Sequence, residues 1–195
     1  LDLRESGQRC GKNRIARLMR ESGLRPKQKR RFRPSTTDSR HSHKVADNWL
    51  AKVPAPDRPG QIWQSDITYI ETREGWLYLA IVLDLFSRKI VGWAMGSQIT
   101  ADLVERALRM ALYQRQPQGK GLMHHSDRGS QYASAQLQSL LASQQIEVSM
   151  SRVGNCYDNA VMESFFATLK CEWVHFQHYA SREEAQRDIF AYIEG

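Results

Sequence analysis

The sequence predicts an α/β domain built on a mixed five-stranded sheet, three antiparallel strands followed by two parallel ones, flanked by helices and preceded by a basic helical arm. Three observations predict it. Three successive segments rich in Ile, Val, Tyr and Trp are separated only by short turns, the pattern of an antiparallel meander. Beyond residue 100 short apolar runs alternate with stretches of helical periodicity, which places helices against a sheet. Charge is also divided along the chain: residues 1–60 hold 16 Lys and Arg against 6 Asp and Glu, and residues 61–195 hold 12 against 15. A basic arm joined to a mildly acidic body suits an arm that follows a phosphate backbone and a body that performs local chemistry.

Taken in order, residues 12–22 place Ile15, Leu18 and Met19 on one helical stripe with Arg14, Arg17 and Arg20 elsewhere, and Gly23 stops the helix. The next segment has two prolines, few apolar residues and a cluster of Lys27, Lys29, Arg30, Arg31 and Arg33, so it reads as a linker able to touch DNA. Three prolines and a glycine in 54–60 mark its end. The organisation expected is a helical segment over 1–24, a basic linker over 25–60 and the main domain over 61–195. Strands are predicted at 62–70, 75–86 and 89–95, then a helix over 101–115 whose stripe of Leu103, Val104, Ala107, Leu108 and Ala111 packs on the sheet. A fourth strand over 121–126, a helix over 136–145, a fifth strand over 146–150, a longer helix over 157–174 and a last one from Ser181 complete the reading.

The 41% hydrophobic content of 195 residues supplies one ordinary core with a smaller appendage. No run of 18 apolar residues predicts a spanning helix, and residues 1–20 lack the apolar block of a secretory signal, so a cytoplasmic location is expected. Cys10, Cys156 and Cys171 are odd in number and far apart, which suggests neither a disulfide framework nor a zinc cage.

Among the acids of the body, Asp66 stands out because it interrupts an aromatic and aliphatic strand. Asp127 follows the fourth strand directly, where open α/β sheets place their ligands. Glu163 lies on the late helix, one turn after Asn159. If the first and fourth strands are neighbours, three carboxylates converge at one rim. Such a cluster is unfavourable alone, because like charges raise each other's pKa. Divalent cations remove the conflict, and hard oxygen ligands favour Mg2+ or Mn2+, with two ions about 3.5 to 4 Å apart suited to phosphoryl transfer.

Three strings carry a family resemblance: WQSDITYI at 63–70, HHSDRGSQYAS at 124–134 and SRVGNCYDNAVMESFFATLK at 151–170. They resemble the integrase-type catalytic core of bacterial insertion-sequence transposases, specifically the second reading frame product of the IS-three family. The 35 residues between Asp127 and Glu163 match the spacing for which the D,D(35)E pattern is named. The likeness covers 61–195, and residues 12–22 resemble the end of the helix-turn-helix that precedes this core.

The resemblance implies an RNase H-like fold with Asp66, Asp127 and Glu163 as metal-binding catalytic residues. It implies cleavage and strand transfer at the element's terminal inverted repeats and a target, on double-stranded DNA in the bacterial cytoplasm and nucleoid. It also implies a homo-oligomer on DNA, with the upstream reading-frame product as a further partner. By comparison with the family, the chain reads as truncated at both ends.

Around the three acids, Lys170 falls near the same helical face as Asn159 and Glu163; Lys170 and Asn159 are expected to contact DNA, and Asn159 with Asp158 also reads as helix start and supporting group. Asp84, at the end of the second strand, is the alternative acid and is assigned a structural role. His124 and His125 read as packing or hydrogen-bonding histidines, and His41 and His43, without a paired CxxC, do not make a zinc module. In the turn after Asp127, Gly129 is expected to adopt a backbone conformation closed to other residues. Tyr132 there is open to two uses, base stacking or core packing, while Trp63, Trp76 and Trp93 are expected in the core. Two competing readings are a nuclease of the RNase H or Holliday-junction type, and a DNA-binding remnant without catalysis.

Overall fold

The computed structural model describes residues 11–23, 41, 45–117, 121–152 and 159–195. The chain divides into two compact units, residues 1–34 and 35–195. In the first, α1 (Lys12–Glu21) forms where the sequence predicts it and ends at Gly23, whose φ of 67° is the left-handed conformation that glycine tolerates. Leu18 on its apolar stripe is exposed. The cluster of Lys27, Lys29, Arg30, Arg31 and Arg33 lies outside the described residues.

The second unit is organised by β1 (Ile62–Thr72), β2 (Gly75–Asp84), β3 (Ile90–Gly96), β4 (Met123–Ser126) and β5 (Glu147–Met150), in the order β3-β2-β1-β4-β5. The first three strands are antiparallel, β4 runs parallel to β1, and β5 runs parallel to β4. The β1–β2 turn closes at Thr72 opposite Gly75, with Gly75 at φ 107°. Because side chains alternate along a strand, β2 feeds both faces of the sheet. Ala80 and Val82 join Trp63, Ile67 and the helices α2 (Ala101–Arg115) and α3 (Ala135–Ser143). Leu77, Leu79, Ile81 and Leu83 join Ile70 and the helices α4 (Ala160–Thr168) and α5 (Arg182–Glu194). This two-sided burial explains the nearly continuous apolar run of the second strand.

Helix starts follow local chemistry. The side chains of Thr100, Ser134 and Ser181 accept from the backbone N–H groups of Leu103, Leu137 and Glu184, each the third residue of its helix. At Gly92 on β3, an added Cβ would stand 2.3 Å from the Ala107 carbonyl oxygen and 2.6 Å from the Ala111 nitrogen, so α2 lies directly on the strand's backbone.

Two differences from the sequence reading stand out. Of the helix expected over 157–174, residues 157 and 158 lie outside the described residues; Ala160–Thr168 is α-helical, and the chain then widens into a π-helical turn at Leu169–Trp173 and tightens into a 3-10 turn at Val174–Phe176. Tertiary contact overrides the period here. The Trp173 indole donates to Asp188 on α5, and its ring meets Tyr192 at a centroid distance of 5.4 Å. Part of the stretch read as linker is attached to the body: Met150 N–H donates to the Asp47 carbonyl, and Trp49 and Leu50 N–H donate to Ser149 Oγ, which covers the β5 edge.

Candidate active site

Parallel pairing of β1 with β4 matches Ile62 with Met123, Trp63 with His124 and Gln64 with His125. Continued two residues further, this register brings Asp66 level with Asp127 at the carboxyl rim of the pair. Asp66 Oδ1 accepts from the Ile67 N–H at 2.7 Å and Oδ2 from Asn159 Nδ2 at 2.7 Å. Asn159 Oδ1 in turn accepts from Gln64 Nε2 at 2.9 Å. Asp127 Oδ1 accepts from the Gly129 N–H at 2.8 Å, which sets the turn after β4. Glu163 stands one turn into α4 and is exposed.

The electrostatics tie the three acids together. Burial pushes the Asp66 carboxyl up to about 7 from its ordinary 3.8, with the Asp127 charge the next cause and the Glu163 charge a smaller one. The hydrogen bonds from Asn159 and Ile67 oppose the rise. As the side chains stand, no group of three His, Cys, Asp or Glu among the described residues is gathered tightly enough to hold one ion. The donor set nevertheless fits a hard divalent cation: carboxylates from three elements repel one another at one rim, and a cation there relieves the repulsion that raises Asp66.

Beneath the rim lies a polar floor. His124 Nε2 and Ser65 Oγ are 2.7 Å apart, and His125 Nδ1 lies 2.9 Å from Ser149 Oγ. Both rings are buried, and burial followed by the His125 charge holds the His124 pKa down to about 3. Buried and bonded within the sheet, the two imidazoles match the role expected of them. Tyr132 is 1% exposed, so of its two readings core packing holds, and its hydroxyl has no hydrogen-bond partner among the described residues. Burial, then the charges of Asp66 and Asp127, raise its pKa.

Asp84 sits away from this rim and is spent on structure. Its carboxylate accepts from Gly60 N–H and from the N–H and hydroxyl of Ser87, fixing the β2–β3 turn. Gly129 does not take a left-handed conformation, contrary to expectation; an added Cβ would stand 2.3 Å from the end of the Gln131 side chain. Lys170 Nζ lies 4.0 Å from the ring centroid of Tyr69 on β1. His41 Nε2 is 2.9 Å from the Arg128 carbonyl oxygen. Of the tryptophans expected in the core, Trp63 is fully buried, while Trp76 and Trp93 are half-buried. Cys171 is a free, exposed thiol. Asp158, His43, Cys10 and Cys156 lie outside the described residues.

Gln64 is the site residue that sequence reasoning missed. Its signal was present: a polar side chain two places before Asp66 on an apolar strand shares that residue's face.

Residues 56–156 match the family described as Integrase core domain, and residues 144–195 match a second family of the same description. A chain of the simian T-cell lymphotropic virus intasome, solved in complex with PP2A regulatory subunit B56 gamma, superposes with a TM-score of 0.55 at 21% identity, covering 66% of this chain and 44% of that one. The fold is therefore the RNase H-like fold of integrase catalytic cores.

The chain is 48% identical to the "Insertion element IS600 uncharacterized 31 kDa protein" of Shigella sonnei, over 99% of its own length and 70% of that protein. It is 43% identical to "Transposase InsF for insertion sequence IS3A" of Escherichia coli strain K12, over 99% of its own length and 66% of that protein. The chain belongs to the IS-three family of insertion-sequence transposases, DDE polynucleotidyl transferases with an integrase core.

Proposed function

We propose that this chain carries the catalytic core of a transposase that cleaves DNA at the terminal inverted repeats of an insertion sequence and transfers the freed strand to a target. The observation that supports it is the electrostatic meeting of Asp66, Asp127 and Glu163 at one rim, each from a different part of the fold. These carboxylates are the candidate holders of Mg2+ or Mn2+, two ions in the reading we favour. When bound, such ions supply charge neutralisation at the phosphate and a more acidic attacking hydroxyl.

The protein's own contribution is placement. Asp66 is fixed by two donors at the sheet, Asp127 by its own turn, and Glu163 is carried on a helix whose start is bonded to β1. The buried floor of Ser65, His124 and Tyr132 excludes bulk water from below the rim. Lys170, Asn159 and the basic cluster of Lys27, Lys29, Arg30, Arg31 and Arg33 are the candidate DNA contacts. Residues 1–24 serve as a partial helix-turn-helix segment and 25–60 as a basic linker before the core over 61–195.

Joining two DNA ends favours a homo-oligomer on DNA, with the upstream reading-frame product as a candidate partner. No helix among the described residues is long and apolar enough to cross a membrane. We assign the activity to the bacterial cytoplasm and its nucleoid.

The test is a labelled DNA end incubated with Mg2+ or Mn2+ and the full-length protein. Nicked and joined products are expected, and Asp66→Asn or Glu163→Gln should lower both by at least about a thousandfold, about 4 kcal/mol of barrier. Undiminished activity in either variant would exclude the assignment. A strand that is cut but never joined would indicate a nuclease instead.

A further inference from the structure

We propose that Gln64 is a positioning residue that acts through Asn159 to set how closely Glu163 stands to Asp66. The proposal rests on the functional reading above and names a residue that reading does not use. Gln64 is 1% exposed on the central strand, and a buried carboxamide is costly unless paired. It shares the face of Asp66, two residues away, and its Nε2 donates to Asn159 Oδ1.

A carboxamide has one donor end and one acceptor end. In Asn159 both are spent on β1: the acceptor end on Gln64 and the donor end on Asp66. Two attachment points, about 7 Å apart along the strand, fix the rotation of the side chain as well as its position. One point alone leaves it free to pivot. A half-turn of the carboxamide would set Oδ1 against the Asp66 carboxylate, a repulsive contact, so the Gln64 bond and the Asp66 bond support each other.

The position of Asn159 makes this clamp consequential. It occupies the N-cap of α4, where asparagine ordinarily bonds the helix's own N–H groups, yet it makes no such bond. Its side chain is diverted from the helix to the sheet. Glu163 follows four residues later, about 6 Å along the helix axis, and makes no hydrogen bond or ion pair among the described residues. Nothing described holds that carboxylate in place except the helix that carries it, and the clamp is where this helix's start is bonded to β1.

A double-mutant cycle tests the idea, using this chain and Mn2+ binding measured by calorimetry. Gln64→Met keeps the volume and removes the donor. In the otherwise unsubstituted protein it should weaken Mn2+ binding by about tenfold, the usual effect of losing a group that orients a metal-binding carboxylate. In an Asn159→Ala background the same change should cost less than about twofold, because the intermediary is gone. A second readout needs no metal: the Asn159 side-chain amide resonances in the metal-free protein should shift on Gln64→Met.

Unchanged Mn2+ affinity, equal weakening in both backgrounds or unmoved Asn159 resonances would each overturn the proposal. If the unsubstituted chain binds no Mn2+, the metal assignment above fails, and the amide resonances still decide the clamp.

Discussion

Asp66 at the rim and His124 in its floor lie close in the sheet, since His124 pairs with Trp63 on the strand that carries Asp66, and they oppose each other in pH dependence. With a folded pKa of about 7 against 3.8, Asp66 binds its proton more tightly in the folded chain, so its contribution to stability declines as pH rises from about 4 to about 7. His124, held near 3 against 6.5, is neutral when folded; its contribution is complete above about pH 6.5 and is lost as pH falls toward 3. Each slope is at most about 1.4 kcal/mol per pH unit, and between about pH 4 and 6.5 they cancel. In metal-free buffer Asp66→Asn should therefore turn a nearly flat contribution into one that rises with pH. Urea unfolding at pH 4.5 and 6.5 checks it, and the same change in stability between the two pH values in both proteins would contradict it. At this scale the sequence made Asp66 legible because a charge inside an apolar strand needs a reason. Gln64 sent the same signal more weakly, and Glu163 was legible through its 35-residue spacing from Asp127 and the family resemblance, not through its exposure, because its place depends on a helix start bonded to a strand 95 residues away.

Elements were legible where their periodicity is local and their boundaries are chemical. The five strands and the capped helices fall near their expected positions, since Thr100, Ser134 and Ser181 are start signals in the sequence itself. The π-helical turn at Leu169–Trp173 was not legible, because its partners Asp188 and Tyr192 belong to α5 and no local pattern reports them. The close approach of α2 to β3 carries its own prediction. Gly92→Ala places a methyl group within 2.6 Å of two backbone atoms of α2, so it should destabilise the body by about 3 kcal/mol, the upper part of the usual overpacking range. A shift in urea midpoint without a change in slope checks this. An unshifted midpoint would mean that α2 stands further from the strand.

Across the whole molecule, charge separates an arm of 16 Lys and Arg against 6 Asp and Glu from a body of 12 against 15. If the arm follows a phosphate backbone, replacing Arg30, Arg31 and Arg33 with Ala should weaken binding to any duplex. The salt slope should fall by up to about 3, near 0.9 for each phosphate no longer neutralised. Filter binding at several salt concentrations checks this, and an unchanged slope would remove the arm from the DNA interface.

The central claim concerns the body: carboxylates from β1, the tip of β4 and α4 gather to hold divalent cations. Crystals of the chain soaked in Mn2+ test it most directly through anomalous scattering. A peak within about 2 to 2.4 Å of Asp66 and Asp127 oxygens, with Glu163 turned toward the same rim, is the result expected. A Mn2+-saturated crystal with no peak at those carboxylates would contradict it.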